Sequence, residues 1–162
     1  MPAATIRPAI AADVPLVLQL IRELAAYEKL GHEVTATERD LRESLFSSPP
    51  SAEVVIAETD GGVAGYALFF HNYSTFLAQR GVFLEDLFVN SSARGRGVGR
   101  ALLARLAQIA VERDCGRLEW FVLDWNDLAI SFYRSLGAAP MDDWTMFRLT
   151  GPALETLAKN SP

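Results

Sequence analysis

The feature that most constrains this sequence is a glycine-rich loop between a β-prone run and a helix-prone run. The run VFLEDLFV (82–89) is rich in β-branched and aromatic residues, RGRGVG (94–99) follows it closely, and a long series of helix formers (100–110) comes next. Glycines at every second position let the backbone approach a ligand closely, and a helix N-terminus favours anions. The segment therefore predicts a strand–loop–helix unit that binds a phosphate group.

Two common kinds of phosphate loop fit this segment poorly. A nucleoside triphosphate loop of the Walker type needs a lysine before its Ser or Thr, and neither the loop nor the helix after it contains one. A dinucleotide fingerprint counted from Gly95 and Gly97 places Arg100 where a third small residue is required. That fingerprint also follows the first strand of its fold, whereas this loop follows the fourth predicted strand.

The elements around the loop predict an α/β fold with a mixed central β-sheet flanked by helices. Thr35 and Glu38 have the spacing of a capping box, which predicts the start of the second helix. With no internal repeat or linker, we expect a single domain over residues 1–162, with a weak helix at its C-terminal end. The other predicted elements are a strand at Thr5–Ala9, a helix at 14–29, a hairpin of Glu53–Glu58 and Val63–Phe70, strands at Val82–Val89 and Arg117–Leu123, a helix at 127–137 and a last strand at Trp144–Thr150.

Composition excludes several classes of function. The formal net charge of −5 argues against nucleic acid as a partner and fits a cationic substrate. No apolar run is long enough to span a bilayer, and the first ten residues lack the pattern of a secretory signal, so we expect no membrane association and a cytoplasmic location. Cys115 is the only cysteine and the two histidines form no ligand motif, so we expect no disulfide and no metal site.

Two motifs give the chain a family resemblance. Arg94-x-x-Gly97-x-Gly99 resembles the R/Q-x-x-G-x-G/A motif of the GNAT superfamily of N-acetyltransferases, and DWNDLAISFYRSLGA (124–138) resembles a second signature of that superfamily. The runs IRPA, LIRELAAYEK and FLEDLFV are similar to the diamine (spermidine/spermine) acetyltransferase branch, which includes thialysine acetyltransferases. The resemblance implies a GNAT fold, acetyl-CoA as co-substrate and a homodimer.

The resemblance also implies which residues hold acetyl-CoA. Backbone groups of one strand would bind the pantetheine arm and the acetyl carbonyl, the loop would bind the pyrophosphate, and the start of a later helix would touch the cofactor. The residues concerned are Leu87, Phe88 and Val89 in the strand, Arg94, Gly95, Arg96, Gly97, Val98, Gly99 and Arg100 in the loop, and Asn126, Asp127, Leu128 and Ala129 in the helix.

Further residues are implied to handle the amine. In the branch, Tyr133 would protonate the departing thiolate and Glu85 would lie beside the substrate amine. A protonated amine must lose a proton before it attacks a thioester, and a carboxylate can take that proton directly or through water. Because Glu85 and Asp86 are neighbours in a strand, we expect their side chains on opposite faces, with Glu85 the functional one and Asp86 solvated or capping.

The far part of the amine site is implied by the same resemblance. Tyr27 and Glu28 would line the amine channel. An acidic residue before the last strand would also contribute, with Asp142 the better match and Asp143 the alternative.

This chain departs from the branch at two positions. Leu136 stands where the branch has a basic residue that helps bind the cofactor, so the resemblance implies either a weaker affinity for the phosphates or that Arg134 carries this role. Asp124 replaces a glutamate in the segment Asp124-Trp125-Asn126, which shortens a carboxylate that could bind the amine.

The expected activity is direct transfer of the acetyl group of acetyl-CoA to a small primary amine, a polyamine or a diamine. The alternatives are an acetyltransferase for thialysine, another amino acid or a protein lysine, or a coenzyme A-binding domain without catalysis.

Overall fold

The computed structural model describes residues 4–160, and these form two compact units. One unit ends at Leu123 and the other begins at Asp124, and each is described by itself. The prediction that the first ten residues are not a secretory signal falls partly on residues 1–3, which lie outside the described residues. Among residues 4–160, no helix has both the length and the apolar character needed to cross a bilayer.

The first unit is built on a five-stranded sheet whose spatial order follows the chain. Neighbouring strands are antiparallel except the last two, which are parallel, so the predicted mixed sheet is confirmed. The last strand is shorter than the predicted run of Arg117–Leu123. The strands are β1 (Thr5–Pro8), β2 (Glu53–Thr59), β3 (Gly62–Ser74), β4 (Gln79–Val89) and β5 (Leu118–Trp120).

Three helices cover this sheet: α1 (Val14–Tyr27), α2 (Glu38–Leu45) and α3 (Val98–Glu112). Apolar side chains of α1 and α2 form one buried cluster with alternate residues of the strands, including Ile56, Tyr66 and Phe88. The predicted cap of α2 is wrong by two residues, because Thr37 and Asp40 form the capping box in place of Thr35 and Glu38.

A β-bulge interrupts the pairing of β3 with β4. Leu68 lies opposite Asp86 whereas Phe69 lies opposite Leu84, so Glu85 is an extra residue in β4. Leu68 packs against the α1–α2 cluster, and successive side chains of a strand alternate between faces. The bulge therefore places Asp86 on the α1–α2 face, although Leu84, two residues earlier, lies on the opposite face.

Ion pairs fix helices α1 and α3 to the sheet. Arg113, just after α3, makes a two-pronged contact with Glu53 at the start of β2, and a guanidinium nitrogen of Arg113 lies 2.9 Å from His71 Nε2. At the other end, Arg7 of β1 donates to both carboxylate oxygens of Asp13, at 2.7 and 3.1 Å. Asp13 directly precedes α1, so this pair sets where that helix leaves the sheet.

The second unit contains α4 (Asp127–Ser135) and α5 (Gly151–Lys159), as the sequence predicts. The predicted strand at Trp144–Thr150 is wrong, because this segment is irregular and exposed. Apolar residues in it alternate as far as Met146 and then change phase at Phe147, so neither face is continuously apolar. A strand also needs a partner, and no strand of the described residues pairs with this segment.

We predict that Asp13→Asn lowers the free energy of unfolding by about 1–2 kcal/mol at pH 7, because Arg7 loses a charged, two-pronged acceptor. The hydrogen bonds from Arg7 hold the pKa of Asp13 below its usual range. This stabilisation is therefore present above about pH 4 and is lost as the pH falls through the folded-state pKa.

Urea denaturation across this pH range measures the effect. Asp60→Asn, in the exposed turn between β2 and β3, is the matched control and should change little. A difference between Asp13→Asn and wild type that stays constant down to pH 2 would contradict the assignment.

Candidate active site

The bulge marks the point at which β4 parts from β5. The two strands pair only from Val82 with Leu118 to Leu84 with Trp120. Beyond this pairing, β4 continues from Glu85 to Val89. From Glu85 onward, no described strand pairs with β4 on its β5 side. Successive residues direct their backbone groups to opposite sides of a strand, and Asn90 N donates to Ala64 O of β3. Leu87 and Val89 therefore present their backbone groups to the open side, where no sheet ladder uses them, whereas Phe88 faces β3, which corrects its predicted place in the pantetheine site.

On its other side, this end of β4 lies very close to β3. A side chain at Gly65 would overlap the carbonyl group of Phe88, so only glycine fits there. Phe88 itself is buried and its ring belongs to the α1–α2 cluster. The predicted segment for the pantetheine arm is thus held rigidly on one side and open along the other.

The glycine-rich loop delivers the chain from β4 into α3. Gly95 and Gly97 have positive φ angles of 72° and 81°, a conformation that glycine adopts without strain. Gly97 is the residue before the first turn of α3, and no side chain caps that turn. The first amide groups of a helix lack partners within it, so this helix start offers donors and positive potential to an anion.

The three arginines of the loop differ in their contacts. Arg96 and Arg100 are exposed beside the start of α3. The guanidinium group of Arg94 lies 4.6 Å from the centre of the Tyr27 ring and 5.8 Å from that of Phe88, and its Nε donates to Val89 O at 3.0 Å. Arg94 therefore ties the loop to the end of α1, a contact that the phosphate-binding prediction did not anticipate.

Three carboxylates of the first unit influence one another electrostatically: Glu28, Glu85 and Asp86. Burial raises the pKa of Glu28, and the neighbouring charge of Glu85 raises it further. Glu85 is exposed at the bulge. The structure thus brings together Glu28 and Glu85, which the sequence assigned to the amine, with Tyr27 directly before Glu28. We call Glu28, Glu85 and Asp86 the acidic group.

Asp86 is the member that the sequence analysis assigned wrongly. It is half-buried and accepts a hydrogen bond of 2.8 Å from the hydroxyl of Tyr66, so it is neither solvated nor a cap. Burial raises the pKa of Asp86 to about 6, and the charges of Glu85 and Glu28 act in the same direction, whereas the Tyr66 hydrogen bond opposes the rise. A carboxyl group that titrates near neutral pH can both hold and release a proton under physiological conditions.

A sequence signal for this pair exists in β3. Tyr66 is the only residue with a hydroxyl group in the run VAGYALFF, and a buried tyrosine needs a hydrogen-bond partner. The identity of the partner depends on the β3–β4 register, which the bulge alters. Strict alternation would have put Asp86 on the face opposite Tyr66.

The remaining predicted residues lie in the second unit. The side chain of Asn126 caps α4 by accepting from the Ala129 amide at 3.2 Å, and Asp127 and Leu128 form the exposed first turn. Tyr133 is half-buried in α4, with its ring 5.5 Å from that of Phe132. Their roles stay predictions.

Four other positions that bear on these roles lie in the same unit. Arg134 is exposed and Leu136 ends α4, whereas Asp142 and Asp143 are exposed in the irregular segment that follows. Whether Arg134 or either aspartate binds a ligand stays a prediction.

Comparison with known proteins identifies the class to which this fold and loop belong. A family model described as the acetyltransferase (GNAT) family matches residues 18–138, which include the glycine-rich loop, the acidic group and α4. The chain therefore belongs to the GNAT family of acetyltransferases, as its two motifs predict. Enzymes of this family use acetyl-CoA as co-substrate, and the chain is an acetyl-CoA-dependent N-acetyltransferase.

Similar proteins cover almost the whole chain. It is 37% identical to thialysine N-epsilon-acetyltransferase of Bos taurus, over 94% of this chain and 96% of that protein. It is 35% identical to L-ornithine N5-acetyltransferase of Arabidopsis thaliana, over 95% of this chain and 87% of that protein. Among solved structures, an integron cassette protein from the mobile metagenome of V. cholerae matches with a TM-score of 0.79 and 31% identity, over 97% and 98% of the two chains.

The donors of the first unit fit the chemistry of acetyl-CoA. Its pyrophosphate is an anion, and the uncapped start of α3 with Arg96 and Arg100 is a donor set for anions. Its pantetheine arm carries amides, which pair with strand edges such as the open side of β4. Among the described residues, no group of three or more His, Cys, Asp or Glu side chains is arranged to hold a metal ion.

We predict that Gly97→Val weakens acetyl-CoA binding at least about tenfold, a change of about 1.4 kcal/mol. A β-branched residue is strained at a φ of 81°, so the loop would shift and turn its amides away from the anion. Isothermal titration calorimetry measures the dissociation constant.

Gly61→Ala in the β2–β3 turn is the matched control for this substitution. A Cβ there meets its nearest neighbour at 3.8 Å, an ordinary contact, so binding should be unchanged. Undiminished affinity in Gly97→Val would show that the loop does not bind the cofactor.

Proposed function

We propose that this enzyme transfers the acetyl group of acetyl-CoA directly to the terminal primary amine of a small aliphatic substrate. The observation that carries this proposal is the open side of β4, which lies in sequence between Asp86 of the acidic group and the glycine-rich loop. A cationic amine attracted by the carboxylates and a thioester bound along this edge would meet there. Direct attack needs no covalent enzyme intermediate.

The proposed roles follow from the chemistry of the residues. Acetyl-CoA supplies the acetyl group as a thioester. The loop amides and the start of α3 bind its pyrophosphate, and backbone groups of Leu87 and Val89 bind its arm. The amide group of Val89, which points to the open side, stabilises the oxyanion of the acetyl group, an effect of about 3 kcal/mol for one such donor.

Protons and electrons balance in the proposed reaction. A carboxylate of the acidic group takes one proton from the ammonium ion, a role for which the sequence predicts Glu85. The nitrogen lone pair then forms a bond to the acetyl carbon, and the bond from that carbon to sulfur breaks. Tyr133 protonates the leaving thiolate, and the second nitrogen proton restores its phenol. The carboxylate returns its proton to the solvent.

Two substrate classes satisfy this scheme. Amino acids with a terminal side-chain amine are favoured by the named substrates of the similar enzymes, thialysine and ornithine. Diamines and polyamines, which the sequence resemblance favours, are supported by the acidic group, since several carboxylates suit a substrate with more than one positive charge. Both classes present the same reacting group, a primary amine at the end of a flexible chain.

We predict that the purified enzyme releases coenzyme A thiol from acetyl-CoA in the presence of at least one member of a panel that contains thialysine, ornithine, lysine, putrescine, spermidine and spermine. N-acetylated glycine peptides without a free amine are the control and should give no release above background hydrolysis. Mass spectrometry then locates the acetyl group.

Acetylation of the α-amine in place of the terminal amine would contradict the proposal. Turnover with protein lysines alone would also contradict it and would favour the alternative that the sequence left open.

We predict that Tyr133→Phe lowers kcat by about 100-fold or more, because the thiolate then leaves without a positioned acid. Acetyl-CoA affinity should change little, since the phenyl ring is retained. The ring contact with Phe132 gives a matched control, because Phe132→Leu removes that contact and leaves the Tyr133 hydroxyl in place. Steady-state kinetics and calorimetry measure the two quantities, and an unchanged kcat in Tyr133→Phe would exclude it as the acid.

Three further expectations belong to the same proposal. We propose that residues 1–162 act as one N-acetyltransferase domain, that the enzyme is a homodimer, and that it works in the cytoplasm without a nucleic acid or membrane partner. The family match supports the first, because it extends over parts of both compact units.

A further inference from the structure

We propose that Tyr66 is a positioning residue that holds Asp86 as the acceptor of the proton lost by the substrate ammonium group, with Glu85 left to attract the cation. This inference rests on the proposed function, since it concerns which carboxylate performs the first proton transfer. It changes the role that the sequence predicts for Glu85.

The bulge brings Tyr66 and Asp86 together. Tyr66 lies opposite Phe88 in the β3–β4 ladder, and Asp86 lies opposite Leu68, so both side chains are on the α1–α2 face, one strand apart. Tyr66 is fully buried in the core cluster, which fixes its ring. Its hydroxyl then meets Asp86 Oδ2 at 2.8 Å.

This hydrogen bond can run in only one direction near neutral pH. Burial raises the pKa of Tyr66 far above its usual range, and the charge of Asp86 adds to the rise, so the phenol keeps its proton. Tyr66 is therefore a permanent donor to Oδ2, and it is not the acid of the reaction. An ionised carboxylate accepts at both oxygens, which leaves Oδ1 able to accept from the substrate or from a water molecule.

Asp86 is better suited than Glu85 to take the proton. Glu85 is exposed at the bulge, and solvent competes for its charge, whereas Asp86 is half-buried and is fixed by Tyr66. A general base acts best when its pKa is close to the working pH, and that of Asp86 is raised to about 6. Asp86 also directly precedes the segment Leu87–Val89 that is proposed to bind the thioester.

The charged groups around Asp86 come from several elements. Tyr66 faces it from β3, Glu85 precedes it in β4, and Glu28 acts on it from the end of α1; both carboxylates raise its pKa, whereas the Tyr66 hydrogen bond lowers it. The guanidinium group of Arg94 lies on the rings of Tyr27 and Phe88. Among these groups, Tyr66 is therefore the one whose contact lowers the pKa of Asp86 and so favours its ionised form in the absence of substrate.

The decisive variant is Tyr66→Phe, which removes one hydroxyl and keeps the ring in the core. Loss of the hydrogen bond should raise the pKa of Asp86 by about one unit. The acidic limb of the kcat/KM profile should therefore move upward by the same amount, and the activity lost at pH 6.5 should return at pH 8.5. Tyr73→Phe is the matched control, because Tyr73 is on the same strand but is exposed.

A measurement without turnover separates this inference from the proposed function. Carbon-13 NMR titration of the aspartate carboxyl groups, assigned with Asp86→Asn, should show one group titrating near pH 6 in wild type and about one unit higher in Tyr66→Phe. If this shift occurs but no amine is acetylated, the contact by which Tyr66 positions Asp86 is confirmed, whereas the proposed function fails and with it the proton transfer from an amine.

Kinetics then tests the role in catalysis. Asp86→Asn should lower kcat by about 100-fold or more at every pH, with acetyl-CoA affinity retained, and Asp86→Glu should restore part of the activity. Glu85→Gln should raise the KM for the amine more than it lowers kcat. A uniform loss of activity in Tyr66→Phe with no movement of the acidic limb or of the NMR titration would overturn the inference, as would full activity in Asp86→Asn.

Discussion

The β-bulge at Glu85 is the constraint on which the rest of the candidate site depends. One extra residue in β4 changes the face on which every later side chain of that strand lies. Phe88 consequently enters the cluster formed with α1 and α2, and Asp86 meets Tyr66. Pairing with β5 also stops at the residue before the bulge, which opens one side of β4. A single irregularity thus supplies both the half-buried carboxylate of Asp86 and the unpaired backbone edge of β4.

The glycine-rich loop is independent of the bulge, because its conformation depends on its own residues and on the start of α3. Positive φ angles at Gly95 and Gly97 let the chain turn directly into α3 without a capping side chain, so the first amides of the helix are left for an anion. The far end of α3 is held by the contact of Arg113 with Glu53. Because both ends of the helix are fixed, its N-terminal donors keep their position relative to β4.

Features with local causes could be predicted from the sequence, whereas features that depend on long-range pairing between strands could not. The loop, the helix after it and the strands around it were predicted because their signals lie within a few neighbouring residues. The pairing of Asp86 with Tyr66 was missed because it depends on a register between two strands that sequence alternation does not specify. The strand expected at Trp144–Thr150 failed for a related reason, since a β-prone run forms a strand only where another strand can pair with it.

The electrostatics of the acidic group explain why the half-buried Asp86 can serve an amine substrate. Repulsion from Glu85 and Glu28 makes the ionised state of Asp86 less favourable, and repulsion from Glu85 does the same for Glu28. An arriving ammonium group relieves this repulsion, which favours its binding but also stabilises the ionised form of Asp86 and makes it a weaker base. The same burial disfavours the charge on the ammonium group and lowers its pKa. Proton transfer becomes feasible where burial lowers the pKa of the ammonium group more than the ammonium charge lowers the pKa of the carboxyl group. This favours a carboxylate that is partly shielded from water and already accepts a hydrogen bond at one oxygen. Asp86, held by Tyr66 at Oδ2, is the member of the group that meets this requirement.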